Sequence, residues 1–545
     1  MSAQYDYIIV GAGSAGCILA RRLSDSPGIR VLLIEAGPEA DDFWIRTPAG
    51  MARLMRNEKY NWNFETEPVS TLMNRRIYWP RGKVIGGSSA INGMVHIRGD
   101  RRDYDHWEAL GNPGWGWATI GRLFDEMEHD SACTNGTKQG GPVYLSHSAV
   151  IHPTVLDFID AGRAFGLKYN DDINSGDVEG VGLLKFNIKE GRRQSSYDAY
   201  LAPVRGRSNL KVLTDAQATK ILIRDRAACG IEVAFGGGRT ATFQAARDIV
   251  LSAGTLNSPQ LLMLSGIGDP AELGRHQIEV VHALPGVGAN LQDHFVGRVQ
   301  FKVTPDSSYN RDLRSWRKYL AGVQYLLTHT GYLALGSSPA AAFVKSHPDM
   351  DYADLEISFR PMTFGYDNAG GVTVHNFDAM SASVYRVRPT SRGRVGLHSP
   401  DPYKPAKFEP NYLSTQDDID AMISGIRTFR AIALQSPLKS RVIGEMVPGP
   451  DCQDDDSLLA YLQAEGQCAF HPAGTCKMGP DKMAVVDHCL RVHGIDRLRV
   501  ADASIMPVVV SGNTNAASMV IGENAARIIL DDAKIGTSAT ASISG

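Results

Sequence analysis

The residues best able to do chemistry cluster near the C-terminal end. In AFHPAGTCKMG, residues 469–479, His471 stands five positions before Cys476. Three chemistries fit those types: a metal site, a thiol nucleophile with its base, or a proton acceptor for a reaction whose other component lies elsewhere. A packed loop fits them too. The metal reading lacks ligands, because no H-x-x-x-H or H-E-x-x-H spacing accompanies His471 and Cys476 is the only other good donor in the stretch. The nucleophile reading lacks an acid to orient the base. Histidine suits proton transfer near neutral pH. Which reaction would use it depends on what the rest of the chain binds.

The N-terminal stretch DYIIVGAGSAGCILARRL is an apolar run, a glycine turn and a helix-period pattern. Gly11, Gly13 and Gly16 form G-x-G-x-x-G between the two. The first glycine permits a tight turn, the second lets backbone approach a diphosphate, and the third lets helix pack on strand. The helix N-terminus adds donors and positive partial charge. A second strand, RVLLIEAG, ends in Glu35, 19 residues after Gly16, where an acid grips a ribose hydroxyl. This much predicts a dinucleotide and does not separate NAD from FAD.

A second cluster, WPRGKVIGGSSAINGMVHIRG at 79–99, sets Gly82, Gly86 and Gly87 beside Ser88, Ser89, Asn92 and Gly93. Small residues with many free N–H groups suit a backbone laid along a flat or anionic ligand. NLKVLTDAQATKILI at 209–223 alternates as a strand does, and DIVLSAGTLNSPQLLMLSGIG at 248–268 is another strand–turn–helix unit. LRVADASIMPVVVSGNTNAASMVIGENAARII at 498–529 repeats it, with Asp502 at a strand end, set to hold a ribityl or pyrophosphate group, and Asn513 and Asn515 in the turn before a final helix. Distant segments returning to one ligand suit a long cofactor such as FAD.

These stretches, with GVGANLQDH and HPAGTCKMG, run in order from residue 5 to about 530. Together they resemble the glucose–methanol–choline family of FAD-dependent alcohol oxidases and dehydrogenases, closest to its bacterial alcohol, choline-type and sorbose dehydrogenases. The resemblance implies an α/β (α+β overall) fold, a Rossmann-like FAD-binding domain with a discontinuous substrate cap on an antiparallel sheet. It implies oxidation of an alcohol to an aldehyde or ketone by hydride transfer to flavin N5. His471 would then be the proton acceptor and Asn513 its active-site companion, with Phe470 facing the substrate pocket or the core. The cofactor positions it implies are Gly11, Gly13, Ser14, Ala15 and Gly16; Glu35 and Ala36; Gly87, Ser88, Asn92, Gly93, Met94 and Val95; Ala218; and Asp502, Ala503 and Thr514. Members with covalent flavin carry histidine just before the asparagine of the second glycine cluster. Ile91 stands there, so FAD is expected to bind non-covalently. A flavin-containing lyase on the same scaffold and a non-enzymatic dinucleotide-binding redox sensor are the alternatives. His294 and His493 read as structural.

Segments 1–155, 205–300 and 463–532 are assigned to FAD binding, 156–204 and 301–462 to the cap, and 533–545 to a flexible tail. Alternating stretches such as ADLEISFRP and FDAMSASVYRV predict the cap's antiparallel sheet. Helices such as RSWRKYLAGVQYLLTH are expected outside it, and TLMNRRIYWPRGK as part of a lid. Of the 545 residues 43% are hydrophobic and 21% charged, with net charge −3, which leaves no global pull toward nucleic acid or an anionic membrane. The pairs Arg75-Arg76, Arg101-Arg102 and Arg192-Arg193 read as solvated faces or local ion pairs. No apolar run spans a bilayer, and the N-terminus does not read as a signal peptide. Seven scattered cysteines without C-x-x-C argue against a disulfide framework or structural zinc. No metal is expected. The expected partners are a small alcohol and an electron acceptor, whether oxygen, a quinone or another carrier. The expected location is the cytoplasm, with peripheral membrane association through a quinone acceptor as a variant.

Overall fold

The computed structural model describes residues 4–133, 138–314, 316–366 and 372–541. The unbroken apolar runs Tyr7–Val10 (β1) and Val31–Ile34 (β2) are fully buried, as strands covered on both faces must be. They join Leu210–Leu213 (β3), Ile249–Leu251 (β4) and Leu498–Val500 (β5) in a parallel sheet ordered β3-β2-β1-β4-β5. The order reverses between β1 and β4, and ligands of such sheets bind beyond the carboxyl ends at that point. Helix α1 (Ser14–Leu23) leaves β1 there, α2 (Gly254–Leu264) leaves β4, and α3 (Thr514–Ala541) follows β5 and packs on α1. The turn before α1 demands glycine. Gly11 has φ +101°, and a Cβ on Gly16 would lie 1.9 Å from the Gly11 carbonyl oxygen.

The expected antiparallel sheet is present. Its strands run Val442–Val447, Phe295–Val303, Ala379–Arg386, Leu355–Arg360, Ala340–Val344, Gly180–Leu183, with Gln467–Cys468 added beside the start of Phe295–Val303. Strand alternation sorts its two faces. Leu355 and Val384 meet the helix Gln416–Ala433, whose Gly425 allows the close approach, while Arg298, Ser358, Arg360, Ser383 and Tyr385 face a large cavity.

Several expectations need correcting. The helix Pro153–Phe165 packs on the antiparallel sheet and straddles the expected boundary at 155. The strand Phe295–Val303 of that sheet crosses the expected boundary at 300. The helix Arg317–Thr328 does not lie outside the sheet; its Lys318, Tyr319 and Gly322 border the cavity. Part of the stretch read as a lid is core: Leu72, Ile77 and Trp79 are buried, and Arg75 donates to the carbonyls of Gln463 and Gly466. Its Pro80–Lys83 end borders the cavity. Finally, α3 continues to Ala541 through most of the stretch read as a tail, because no proline or glycine pair stops it before Thr537; residues 542–545 lie outside the described residues.

Candidate active site

One cavity of about 1250 Å³ extends from the β1–α1 turn to the inner face of the antiparallel sheet. That volume exceeds the usual range for a drug-sized ligand and suits a long one. Every residue assigned above to cofactor, catalysis or substrate borders it, with one exception. Gly16 lies behind the turn, where its missing side chain lets helix meet strand.

At the cofactor end three small-residue turns converge. A Cβ on Gly87, at φ +55°, would stand 2.7 Å from Gly13 Cα, so the two glycine clusters touch. Gly86 N–H donates to the Ala12 carbonyl at 2.8 Å. The Glu35 carboxylate accepts from Ala12 N at 2.9 Å and Gly37 N at 2.9 Å, and burial pushes it up to about 7 against those donors. It therefore braces the turn as well as facing the cavity. Asp502 is also engaged by the fold: it accepts from Gly254 N at 2.9 Å, Ser258 Oγ at 2.6 Å and Ser504 N at 2.8 Å. Arg193 corrects the reading of its pair as a solvated face or ion pair. It is buried and donates to the Ile45 carbonyl at 2.9 Å, the Asn92 carbonyl at 2.6 Å and Asn92 Oδ1 at 2.9 Å. It pins the second glycine cluster, and its own burial lowers it to about 9. Sequence alone offers no signal for this, since a guanidinium held by backbone carbonyls has no fixed spacing from them.

At the other end His471 occupies an irregular loop tied to α2. Thr255 Oγ1 donates to the Pro472 carbonyl at 2.8 Å, and Thr475 Oγ1 donates to the Thr255 carbonyl at 2.5 Å. Phe470 is half-buried against the core, borders the cavity and sits at φ +66°, which turns the chain so that the next side chain points inward. Its carbonyl accepts from Arg81 Nη2.

The hydrogen-bond network assigns the imidazole tautomers. The Val387 carbonyl can only accept, so His294 Nε2, 2.9 Å away, carries a proton and donates. Burial holds His294 down to about 4, so its ring is neutral and Nδ1 is an acceptor. His471 Nδ1, 3.0 Å from it, must then donate. That leaves the lone pair on His471 Nε2, where Asn513 Nδ2 donates from 2.9 Å. Burial, then His294, then Arg81 hold His471 well below the ordinary histidine range. An unprotonated nitrogen beside an amide donor, facing a cavity, can take a proton from a hydroxyl while the amide holds the same oxygen.

Asp293 braces both histidines: Oδ1 accepts from His471 N at 2.7 Å and His294 N at 2.9 Å, and Oδ2 accepts from Tyr412 Oη. Burial pushes Asp293 up to about 6. Sequence reading gave neither Asp293 nor His294 a part in the site. The signal available was the D-H pair in LQDH, an acid and an imidazole adjacent in an irregular turn. His493 bonds the Gly479 carbonyl at 3.1 Å, away from the cavity. Cys476 is buried outside the cavity, and its burial raises the thiol well above its ordinary value, which removes the nucleophile reading. Among the described residues no three metal-ligating side chains converge, and no helix is long and apolar enough to cross a membrane.

Comparison with known proteins bears on this arrangement directly. The chain is 40% identical over 539 residues to an alcohol dehydrogenase [acceptor] of Pseudomonas putida, covering 96% of each. It is 40% identical over 534 residues to an oxygen-dependent choline dehydrogenase of Rhizobium etli, covering 97% of this chain and 96% of the relative. Among solved structures, pyridoxine 4-oxidase from Mesorbium loti superposes with TM-score 0.85 at 31% identity, over 96% of this chain and 98% of that one. A formate oxidase superposes with TM-score 0.90 at 26% identity, over 98% and 99%. The N-terminal GMC oxidoreductase model matches residues 5–296 and the C-terminal model residues 389–522, and the chain belongs to the GMC oxidoreductase family.

Proposed function

We propose that the protein oxidises an alcohol to an aldehyde or ketone, with His471 Nε2 as the proton acceptor and Asn513 holding the same oxygen. The observation that carries this is the neutral His294–His471 pair, which turns an unprotonated Nε2 toward the cavity beside the Asn513 amide. GMC oxidoreductases use FAD, and the residues present fit it. The N–H groups at the start of α1 would take the diphosphate, Glu35 a ribose, and the Asn92–Val95 backbone the region nearest His471. Bound there, FAD supplies the hydride acceptor. Binding is non-covalent in this reading, because Ile91 offers no nucleophile to the ring. The seven free thiols suit the reducing cytoplasm. The electrons pass on to oxygen, a quinone or another carrier. No observation favours the lyase or the sensor.

The substrate carries no positive charge in this reading. Among the described residues bordering the cavity, Glu35 and Asp502 are the only carboxylates, and both belong to the cofactor end. The antiparallel sheet contributes Arg298 and Arg360, which repel a quaternary ammonium. Anaerobic titration of the purified flavoprotein with neutral alcohols and with choline tests both points. Bleaching of the flavin band by a neutral alcohol is expected. A protein that takes up no FAD, or one bleached by choline alone, would overturn the reading.

A further inference from the structure

The helix Arg317–Thr328 turns its apolar residues toward solvent. Trp316, Tyr319, Leu320, Val323, Leu326 and Leu327 recur at intervals of one, three and four, so they share a face, and each is 53–78% exposed. Only Ala321 and Tyr325 of this helix are buried. A contiguous apolar surface of this kind marks an interaction site.

Two observations select the occupant. The first is charge. Lys318 stands in the first turn beside Arg317, whose guanidinium pairs with Asp312 at 2.8 Å, and Arg192 bonds His329 at the far end at 2.8 Å. Between Asp312 and Asp349 the sequence contains no acidic residue. Leucine and aromatic side chains on one face, with cations beside them, are the composition of a helix that lies in the headgroup boundary of a membrane. The second is position: Tyr319 of the exposed face, with Lys318 and Gly322 of the same helix, borders the cavity that reaches His471.

We propose that this helix seats the protein on an anionic lipid bilayer as a peripheral protein, with the cavity entrance turned toward the acyl region. The apolar face enters the boundary and the cations meet the lipid phosphates. An apolar alcohol or a lipid-soluble electron acceptor then reaches the site from the membrane without crossing water. The docking surface stands on the helix alone, whatever reaction the cavity hosts, so its failure and the failure of the oxidation reading are separate results.

The test is co-sedimentation of the FAD-loaded full chain with vesicles of phosphatidylcholine containing phosphatidylglycerol, and with phosphatidylcholine alone. The wild-type protein is expected to pellet with the anionic vesicles, less with the neutral ones, and less as salt rises. Leu320→Ser combined with Leu327→Ser removes two solvent-facing leucines and is expected to weaken binding roughly tenfold or more. The flavin spectrum reports that this variant folds. Lys318→Gln, which touches no leucine, is expected to flatten the salt dependence. Wild-type protein that stays in the supernatant with both vesicles would overturn the proposal, as would a double variant that binds undiminished. A wild-type dimer that the leucine substitutions convert to monomer would assign the face to a second copy of the chain and overturn it equally.

Discussion

Replacing His294 by phenylalanine isolates what the second imidazole does. The ring stays, and with it the stack on Tyr385, whose centroid is 5.1 Å away. The acceptor for His471 Nδ1–H goes. A buried donor left without a partner costs about 1–3 kcal/mol. The His471 ring escapes that cost by moving its proton to Nε2, and the tautomer able to accept a hydroxyl proton becomes the minor one. The rate constant for flavin reduction by alcohol, read by anaerobic stopped flow, should fall roughly 5- to 150-fold. His294→Asn, whose amide oxygen stands near the lost Nδ1, should recover part of it, which a merely space-filling role would not produce. The pH profile gives a second readout. In the wild type His471 is depressed, so kcat/KM holds as pH falls through 6.5 and is lost only well below it. His294 is one cause of that depression, so its removal should move the limb to higher pH. A reduction rate within twofold of wild type, or His294→Asn as slow as His294→Phe, would refute the tautomer chain.

Asn513→Ala removes the one amide donor beside His471 Nε2 and should slow flavin reduction by about 10²-fold, with FAD content unchanged by absorbance. Gly13→Ala and Gly16→Ala should differ in kind. A Cβ on Gly13 meets nothing closer than 3.9 Å, so that variant should fold and bind FAD weakly, whereas the clash of Gly16→Ala with Gly11 should abolish soluble protein, as expression and flavin titration would show. Glu128 is buried, which alone would raise it, but the facing Arg98 and His96 overcome burial and hold it at about 2. Its contribution to stability is therefore present above its ordinary 4.5 and lost as pH falls toward 2. Arg98→Met leaves that charge buried and should cost about 3–5 kcal/mol near neutral pH in urea unfolding, the gap narrowing toward pH 4.

What could be read from the sequence follows from how local each feature is. The β1–α1 turn and its glycines were legible because the turn is built from one continuous strand–turn–helix. Asn513 and His471, 42 residues apart, were not legible from spacing; only the likeness of whole motifs to the GMC family joined them. The antiparallel sheet announced itself by alternation. The helix Arg317–Thr328 did not announce its place, because its apolar stripe reads as a core face whether that face meets protein or solvent. Arg193 misled for a related reason: paired arginines usually lie on a solvated surface, and only the fold reveals backbone carbonyls waiting for one of them.

The same difference explains where the chemistry resides. His471 comes from the C-terminal loop tied to α2, His294 from the turn just before the strand Phe295–Val303, and Val387 from just past the strand Ala379–Arg386. The proton on His294 Nε2 is placed by a backbone carbonyl of that sheet, and through His294 it decides which nitrogen of His471 is free. The two halves of the fold thus set the proposed proton acceptor together: one supplies the imidazole, the other fixes its tautomer. A substitution that moved the sheet by a fraction of an ångström at Val387 would act on His471 without touching it, and the place to detect it is the pH limb of flavin reduction rather than the affinity for FAD.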